Sequence, residues 1–101
     1  MLVAFSVAPS ASDSSGSVAK AVAEAVRIVR ESGLPNETNA MFTLIEGEWD
    51  EVMDVVKRAT EAVQASAPRV SLVLKADIRT GYTGQLRSKV DRVEEHLADT
   101  P

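Results

Sequence analysis

The segment from Arg69 to Arg79 alternates between two sets of side chains at every residue. The side chains of an extended strand point to opposite faces in turn, so this period of two predicts a strand with one buried face and one more polar face. The apolar set is Val70, Leu72, Leu74, Ala76 and Ile78, and the other set is Ser71, Val73, Lys75, Asp77 and Arg79. A strand of this kind requires partner strands, which constrains the rest of the fold.

Partner strands are predicted in the first half of the chain. Residues 2–8 alternate in the same way, with Val3, Phe5 and Val7 on one face, and Pro9 ends this strand. Residues 35–39 predict a short strand, followed by a turn near Asn39 and a stronger strand over 41–46.

Three amphipathic helices are predicted between and after these strands. A Ser-rich loop at residues 10–17 can supply the N-cap of the first helix, and Gly33 with Pro35 marks its end. The second helix spans 50–65, and the third follows a turn in which Thr83 is the expected cap. The core-facing positions are Val18, Val22, Ala25, Val26 and Val29, then Val52, Val55, Val56, Ala59 and Val63, then Leu86, Val90, Val93 and Leu97.

The order β-α-β-β-α-β plus a C-terminal helix predicts an α+β fold, a ferredoxin-like βαββαβ sandwich. We expect residues 1–101 to form a single domain. Right-handed crossovers place both long helices on one face of the sheet. The other face then lacks a helix and should carry Ala4, Ser6, Phe42, Leu44, Val73 and Lys75. A half-apolar exposed face of this kind predicts an oligomer that buries it.

Composition excludes several classes of protein. The chain has no cysteine and a net charge of −4, so neither a thiolate site nor a basic nucleic-acid surface is expected. The only histidine, His96, lies among acidic residues in the last turns of the predicted terminal helix and is expected at the surface, so neither a His-based triad nor a His-rich metal site is expected. No stretch approaches the roughly 20 apolar residues of a membrane span. The short N-terminal apolar run lacks a basic leader, so we expect a cytoplasmic protein with no membrane or nucleic-acid partner.

Some polar residues fall on or near strands, where they should be half-buried. Glu46 closes the third strand, Lys75 and Asp77 share one face of the fourth, and Ser6 lies on the first. The simplest interpretation is that Lys75, Asp77 and Arg79 form a row of charged side chains at the protein surface or between subunits. Simple alternation places Thr43 and Glu46 on opposite faces of their strand.

Three parts of the sequence resemble the small thiamine-binding protein family. They are the run from Met41 to Met53, which contains Thr-x-x-Glu-Gly-Glu, the strand end Lys75-Ala-Asp77, and the terminal helix opened by Gly84 and Leu86. The resemblance covers nearly the whole chain. It implies a ferredoxin-like fold, a homotetramer in which dimers pair through their sheets, and binding of thiamine or its hydroxymethylpyrimidine portion. It implies no catalysis and no cofactor beyond that ligand.

The chemistry of thiamine agrees with the residues that match. Its aminopyrimidine requires hydrogen-bond partners, and its thiazolium cation is favoured near a carboxylate or an aromatic face. The expected ligand-binding residues are Ser6, Phe42, Thr43, Glu46, Lys75 and Asp77. Lys75, with Arg79, would also suit a phosphate ester. The chain departs from relatives at Phe42, where some have a small or amide residue, and in its Ser-rich loop after Pro9.

Two other functions fit the same residues. A regulatory or scaffolding module would use the exposed sheet face for protein contacts, with the polar residues serving the interface. A small-molecule enzyme would use Lys75 with Asp77 or Glu46 as an acid/base pair.

Overall fold

The computed structural model describes residues 1–9 and 17–99. In chain order the elements of this part are β1 (Leu2–Pro9), α1 (Ser17–Glu31), β2 (Asn36–Thr38), β3 (Thr43–Glu46), α2 (Trp49–Gln64), β4 (Val70–Asp77) and α3 (Gln85–Ala98). The strands form an antiparallel sheet in the order β2-β3-β1-β4. This confirms the predicted ferredoxin-like α+β class with an additional C-terminal helix.

The core lies between one face of the sheet and the two helices α1 and α2. The alternating residues Val3, Phe5 and Val7 of β1 are buried there, next to Ile45 of β3. The helices contribute Ala21, Ala25 and Val29 from α1, and Val52, Val55, Val56, Ala59 and Val63 from α2. The predicted stripe of α2 therefore faces the core. In α1, Ala25 and Val29 are buried as predicted, but Ala21 takes the place of Val22 and Val26, which are only half-buried, and the side chain of Val18 lies outside the described part.

The ends of α1 and α2 follow the sequence signals. Past α1, Gly33 adopts a φ of 81°, a left-handed conformation that glycine reaches without a side-chain clash. At the start of α2, the amide of Glu48 donates to Oε1 of Glu51 at 3.3 Å. The predicted capping loop at 10–16 lies outside the described residues. No helix in the described ranges is long and apolar enough to cross a bilayer.

Strand β4 differs from its prediction. The register opposes Phe5 to Leu74 and Val7 to Leu72, so these leucines point to the helix side as expected. They are nevertheless partly exposed, because β4 is an edge strand and α2 packs more against β1 than against β4. The prediction of a buried face was therefore wrong for this strand.

The other side of the sheet, here called the open face, carries Leu2, Ala4, Ser6, Ala8, Leu44, Ser71, Val73 and Lys75. Phe42 was predicted to lie on this face as part of a strand over 41–46, but β3 begins only at Thr43, and Phe42 belongs to the preceding loop. Among the described elements, only the first turns of α3 approach the open face, at the end marked by Glu46 and Asp77. Val73, midway along the edge strand β4, is 55% exposed.

The predicted inward stripe of α3 is also corrected. Leu86 is buried, but Val90, Val93 and Leu97 are exposed. Only the start of α3 packs against the domain, and the rest of the helix extends away from the sheet. Periodicity located the helix and its apolar stripe, but it could not show that the stripe has no partner within the described part of the chain.

Candidate functional site

A depression lies where β1 extends beyond its neighbour β3. Residues 2–5 of β1 pair with β3, whereas residues 6–9 pair with β4 alone within the described part of the chain. The space that β3 leaves is bordered by α1 and by the β2–β3 loop, and its volume is about 260 Å³. This depression, here called the notch, is lined by Phe5, Ser6, Val7, Ala8, Val22, Ala25, Val26, Thr38, Asn39, Ala40, Met41, Phe42 and Thr43.

The β2–β3 loop is fixed by the side chain of Asn39. Its Oδ1 accepts hydrogen bonds from the amides of Met41 at 2.9 Å and Phe42 at 2.8 Å. The amide of Asn39 in turn donates to the carbonyl of Phe42 at 3.0 Å. An asparagine that bonds to the backbone two and three residues ahead replaces strand pairing with a turn. This turn keeps Phe42 out of β3 and places it at the rim of the notch.

The notch combines apolar walls with small polar groups. Val22 and Val26 of α1 and Phe5 of β1 provide apolar surface, and Phe42 adds an aromatic ring. Ser6, Thr38 and Thr43 are also among its lining residues; Thr38 and Thr43 share the helix side of the sheet with Phe5, whereas the side chain of Ser6 points to the open face. None of its described lining residues is charged. Such a surface suits a flat, neutral heteroaromatic ring that makes a few hydrogen bonds.

A second depression lies on the open face beside α3. Its volume is about 450 Å³, and it is lined by Leu2, Ala4, Leu44, Lys75, Ala76, Asp77 and Lys89. Lys89 of α3 forms an ion pair with Asp77. The hydrogen bond and charge of Lys89, assisted by Arg79 and Lys75, lower the pKa of Asp77 below its ordinary value. With two lysines against one carboxylate, this depression favours anions over cations.

Glu46 lies near the second depression but has a different environment. It is only 6% exposed, and its carboxylate accepts hydrogen bonds from the amides of Gln85 at 2.9 Å and Leu86 at 3.0 Å. These amides begin α3, so the carboxylate serves as the cap of a helix that is remote in sequence. The predicted cap, Thr83, does not have this role, because Gly84 is the N-cap residue.

The six residues expected to bind ligand therefore fall into separate places. Ser6, Phe42 and Thr43 line the notch, and Lys75 and Asp77 line the second depression. Glu46 lines neither depression and holds α3. Thr43 opposes the buried Phe5 and Glu46 opposes Leu2, so the two lie on opposite faces, as alternation predicted.

Sequence reasoning missed several residues at these places. Lys89, which neutralises Asp77, is 12 positions away in sequence, and no local pattern links the two. Val22 and Val26 were assigned to the core, and they also line the notch. Asn39 was recognised as a turn residue. An asparagine in a turn often accepts hydrogen bonds from the amides two and three residues ahead, and this spacing is the signal that identifies its role here. Within the described ranges, no cluster of His, Asp or Glu is arranged to hold a metal ion.

The glutamates and glycine of the Thr-x-x-Glu-Gly-Glu run have structural roles. Glu46 caps α3, and the amide of Glu48 is held by Glu51 at the start of α2. A Cβ at Gly47 would lie 3.2 Å from Val52 and 3.3 Å from Leu34, so this position favours glycine. Gly47 also donates its amide to the carbonyl of Met1 at 3.1 Å. The run joins β1, β3, α2 and α3 at one end of the sheet.

Known proteins are similar to this chain in sequence and in fold. The "UPF0045 protein Mb1933" of Mycobacterium bovis is 56% identical over 98 residues, which cover 96% of this chain and 94% of that protein. The crystal structure of protein MJ1052 of Methanocaldococcus jannaschii matches with a TM-score of 0.81 at 31% identity, covering 93% of this chain and 95% of that one. A Thermotoga maritima protein provisionally named for thiamine biosynthesis or salvage matches with a TM-score of 0.73 at 26% identity, covering 90% of this chain and 97% of that one.

The family assignment rests on a match along most of the chain. The sequence model of a family described as "Thiamine-binding protein" matches residues 3–94. The matched range runs from β1 into α3 and includes the notch, the Glu46 cap and all of the second depression except Leu2. Since sequence, fold and the family model agree, the chain belongs to the thiamine-binding protein family.

Proposed function

We propose that this protein binds thiamine or its hydroxymethylpyrimidine portion without catalysing a reaction. The proposal includes a cytoplasmic homo-oligomer, as the family resemblance implies. The observation that carries it is the notch, an uncharged depression with apolar walls, a phenylalanine at its rim and the hydroxyl groups of Thr38 and Thr43. Its volume of about 260 Å³ is small for a whole drug-sized ligand and suits a single ring.

The aminopyrimidine ring is the part of thiamine that best fits the notch. It is flat and neutral, and it presents an exocyclic amine and ring nitrogens. Phe42 can stack on the ring, and the hydroxyl group of Thr43 can donate to a ring nitrogen or accept from the amine. The ligand role expected for Ser6, whose side chain points to the open face, remains a prediction. The thiazolium cation would be repelled by Lys75 and Lys89 of the second depression. We therefore expect it to remain outside that depression.

The ligand roles expected for Glu46, Lys75 and Asp77 remain predictions. Both carboxylate oxygens of Glu46 accept amide hydrogen bonds, and Asp77 is paired with Lys89. These engagements also weigh against an enzyme that would use either carboxylate as an acid or base with Lys75. If these residues contact ligand, a phosphate ester of thiamine near Lys75 is the form that suits their charge.

Thermal unfolding with added ligand tests the proposal. A ligand at 100 times its dissociation constant should add about 2.7 kcal/mol to the free energy of unfolding. For a domain of this length that corresponds to a rise on the order of 10 °C in Tm. The compounds to compare are thiamine, its mono- and diphosphate, and hydroxymethylpyrimidine. No shift with any of them at millimolar concentration would contradict the proposal.

Two variants locate the site if binding is found. Thr43→Val keeps the shape of the side chain and removes its hydroxyl, so we expect the Kd to rise about three- to tenfold. Thr80→Val is the matched control, because Thr80 is exposed and lies outside the notch. Binding that Thr43→Val leaves unchanged but Lys75→Gln weakens would place the ligand in the second depression.

A protein-interaction module is the second candidate function. The exposed Val73 on the open face and the exposed stripe of α3 favour it. This candidate predicts that the oligomer forms and that no thiamine-type compound changes the Tm.

A further inference from the structure

The apolar stripe of α3 has the spacing of a coiled-coil seam. Leu86, Val90, Val93 and Leu97 are separated by four, three and four residues, which is the alternation of a and d positions in a heptad. Leu86 is buried where the helix joins the domain, while Val90, Val93 and Leu97 are 55%, 58% and 61% exposed. An aliphatic stripe this exposed on an ordered helix costs free energy in water unless it is covered.

Charges along α3 are divided between its two halves. The first half, residues 85–91, carries Arg87, Lys89 and Asp91 and is net positive by one charge, and the second half, residues 92–98, carries Arg92, Glu94 and Glu95 and is net negative by one. Arg87 and Glu94 are the residues that directly follow the d positions Leu86 and Val93, so both lie on the same flank of the stripe. Arg87 is 73% exposed, with only a 4.0 Å contact to Glu37. This flank is therefore basic at one end and acidic at the other.

We propose that α3 pairs with α3 of a second copy of this chain in an antiparallel arrangement about a two-fold axis. In this register Val90 packs against Val93 of the partner subunit, and Leu86 lies opposite Leu97 of the partner subunit. Arg87 then faces Glu94 of the partner subunit, and the two-fold axis repeats this contact. The exposed valines of each helix are covered by those of the other, and opposite charges meet on the flank.

The antiparallel direction follows from charge. It places the basic half of each helix beside the acidic half of the other and sets the two helix dipoles in opposition. A parallel pair would align the dipoles and would bring Lys89 to Glu94, although Lys89 already pairs with Asp77 in the structure. A parallel pair would also leave Arg87 without an opposing residue in the partner helix. A second copy of α3 is therefore the partner whose charges and apolar residues match those of α3.

Contacts with the rest of the domain hold the start of α3 in place before it pairs with a second copy. A seam of two heptads is too short to be stable between free helices. Here Glu46 holds the first amides of α3, and the Lys89–Asp77 pair ties the second turn to β4. The ordering cost is therefore already met in the monomer, and the seam can add to contacts made elsewhere on the domain. This inference is independent of whether the notch binds thiamine.

Charge exchange tests the arrangement in the full-length protein. Arg87→Glu places two glutamates opposite each other at both flanking contacts, and Glu94→Arg places two arginines there. We expect each variant to weaken self-association about tenfold in sedimentation equilibrium. The double variant Arg87→Glu/Glu94→Arg restores opposite charges and should recover the wild-type association. Circular dichroism verifies that each variant is folded. Folded single variants that associate like the wild type, or a double variant that fails to recover, would overturn the proposal.

Disulfide trapping gives a second measurement that does not depend on charge. The chain has no cysteine, so Val90→Cys and Val93→Cys each introduce a sole thiol. In the antiparallel register, position 90 faces position 93 of the second copy. A mixture of the two variants should therefore oxidise mainly to a mixed dimer, because a disulfide requires Cα atoms within about 7 Å. Dimers of each variant with itself, in preference to the mixed dimer, would overturn the antiparallel register.

Discussion

The amide of Gln85 donates a 2.9 Å hydrogen bond to Oε2 of Glu46, although the two residues are 39 positions apart in the sequence. The other carboxylate oxygen accepts from the amide of Leu86 at 3.0 Å. A single side chain of β3 thus satisfies two of the free amides at the start of α3 and places a negative charge at the positive end of the helix dipole. The attachment of α3 to the sheet depends on this carboxylate.

Replacement of Glu46 by glutamine should loosen α3. The amide side chain can accept at only one position, and its NH₂ group would face the second helix amide without an acceptor. We expect the free energy of unfolding to fall by about 1–3 kcal/mol, the range for a buried hydrogen bond to a charged group. Chemical denaturation measures the loss, and hydrogen exchange should show faster exchange of the α3 amides. Glu61→Gln, at an exposed carboxylate of α2, is the control. Equal stability of the two variants would contradict the role of Glu46.

Gly84, the N-cap residue of α3, should resist substitution for a reason of its own. Its φ of 68° and ψ of 20° lie in the left-handed region, and a Cβ added there would contact no atom within 4 Å. Any loss in Gly84→Ala therefore comes from the backbone, and about 1 kcal/mol is expected. Gly84→Asn should lose less, since asparagine tolerates this conformation better. A Tm of Gly84→Ala equal to that of the wild type would show that the turn relaxes without cost.

Local patterns were sufficient to predict the helices and the sheet. The stripes of α1 and α2 repeat with the helical period, and the alternation of residues 2–8 assigned Val3, Phe5 and Val7 to the core. Alternation also separated Thr43 from Glu46. Each of these properties depends on residues a few positions apart, which is the range over which a periodic pattern carries information.

The predictions that failed depend on contacts between distant or competing groups. Phe42 has a strand-like pattern, but the side chain of Asn39 binds its amide and delays the start of β3. The cap supplied by Glu46 spans 39 positions, and no local motif encodes it. The stripe of α3 has correct helical spacing, yet Val90 is 55% exposed. Periodicity shows that a helix has an apolar side and does not show which surface covers it.

The ion pair between Asp77 and Lys89 should govern how Asp77 titrates. The hydrogen bond and charge of Lys89 are the main causes that hold the pKa of Asp77 below its ordinary value of 3.8. NMR titration of the Asp77 carboxyl carbon should therefore show an upward shift of this pKa in Lys89→Gln. Lys75→Gln is the matched control and should raise it less, because Lys75 contributes least among the neighbouring cations. An equal shift in both variants would contradict the assignment of Lys89 as the main partner.

The same ion pair fixes the sign of a pH effect on stability. Because the pKa of Asp77 is lower in the folded state, its contribution is fully present above its ordinary value of 3.8 and is lost as the pH falls through the lower folded value. Wild type and Asp77→Asn should therefore differ in stability near neutral pH and converge as the pH falls below the pKa of Asp77 in the folded state. Urea denaturation at several pH values measures both curves. A gap that widens on acidification would contradict the direction of the shift.

The proposed oligomer, in which the open face is buried between copies of the chain, predicts the effect of a charge on that face. Val73 is 55% exposed in the monomer and lies on this face beside Ser6 of β1. Val73→Asp would bury two carboxylates in a sheet-to-sheet interface, where burial of an unpaired charge is costly, and we expect sedimentation to show a smaller assembly. Ile78→Asp is the matched control, because Ile78 is 63% exposed and lies beyond the end of β4. If Val73→Asp assembles like the wild type, the open face is not an interface. If both variants dissociate equally, the loss of assembly reflects added charge in general. If only Val73→Asp dissociates, the open face is the surface through which the copies of the chain contact each other.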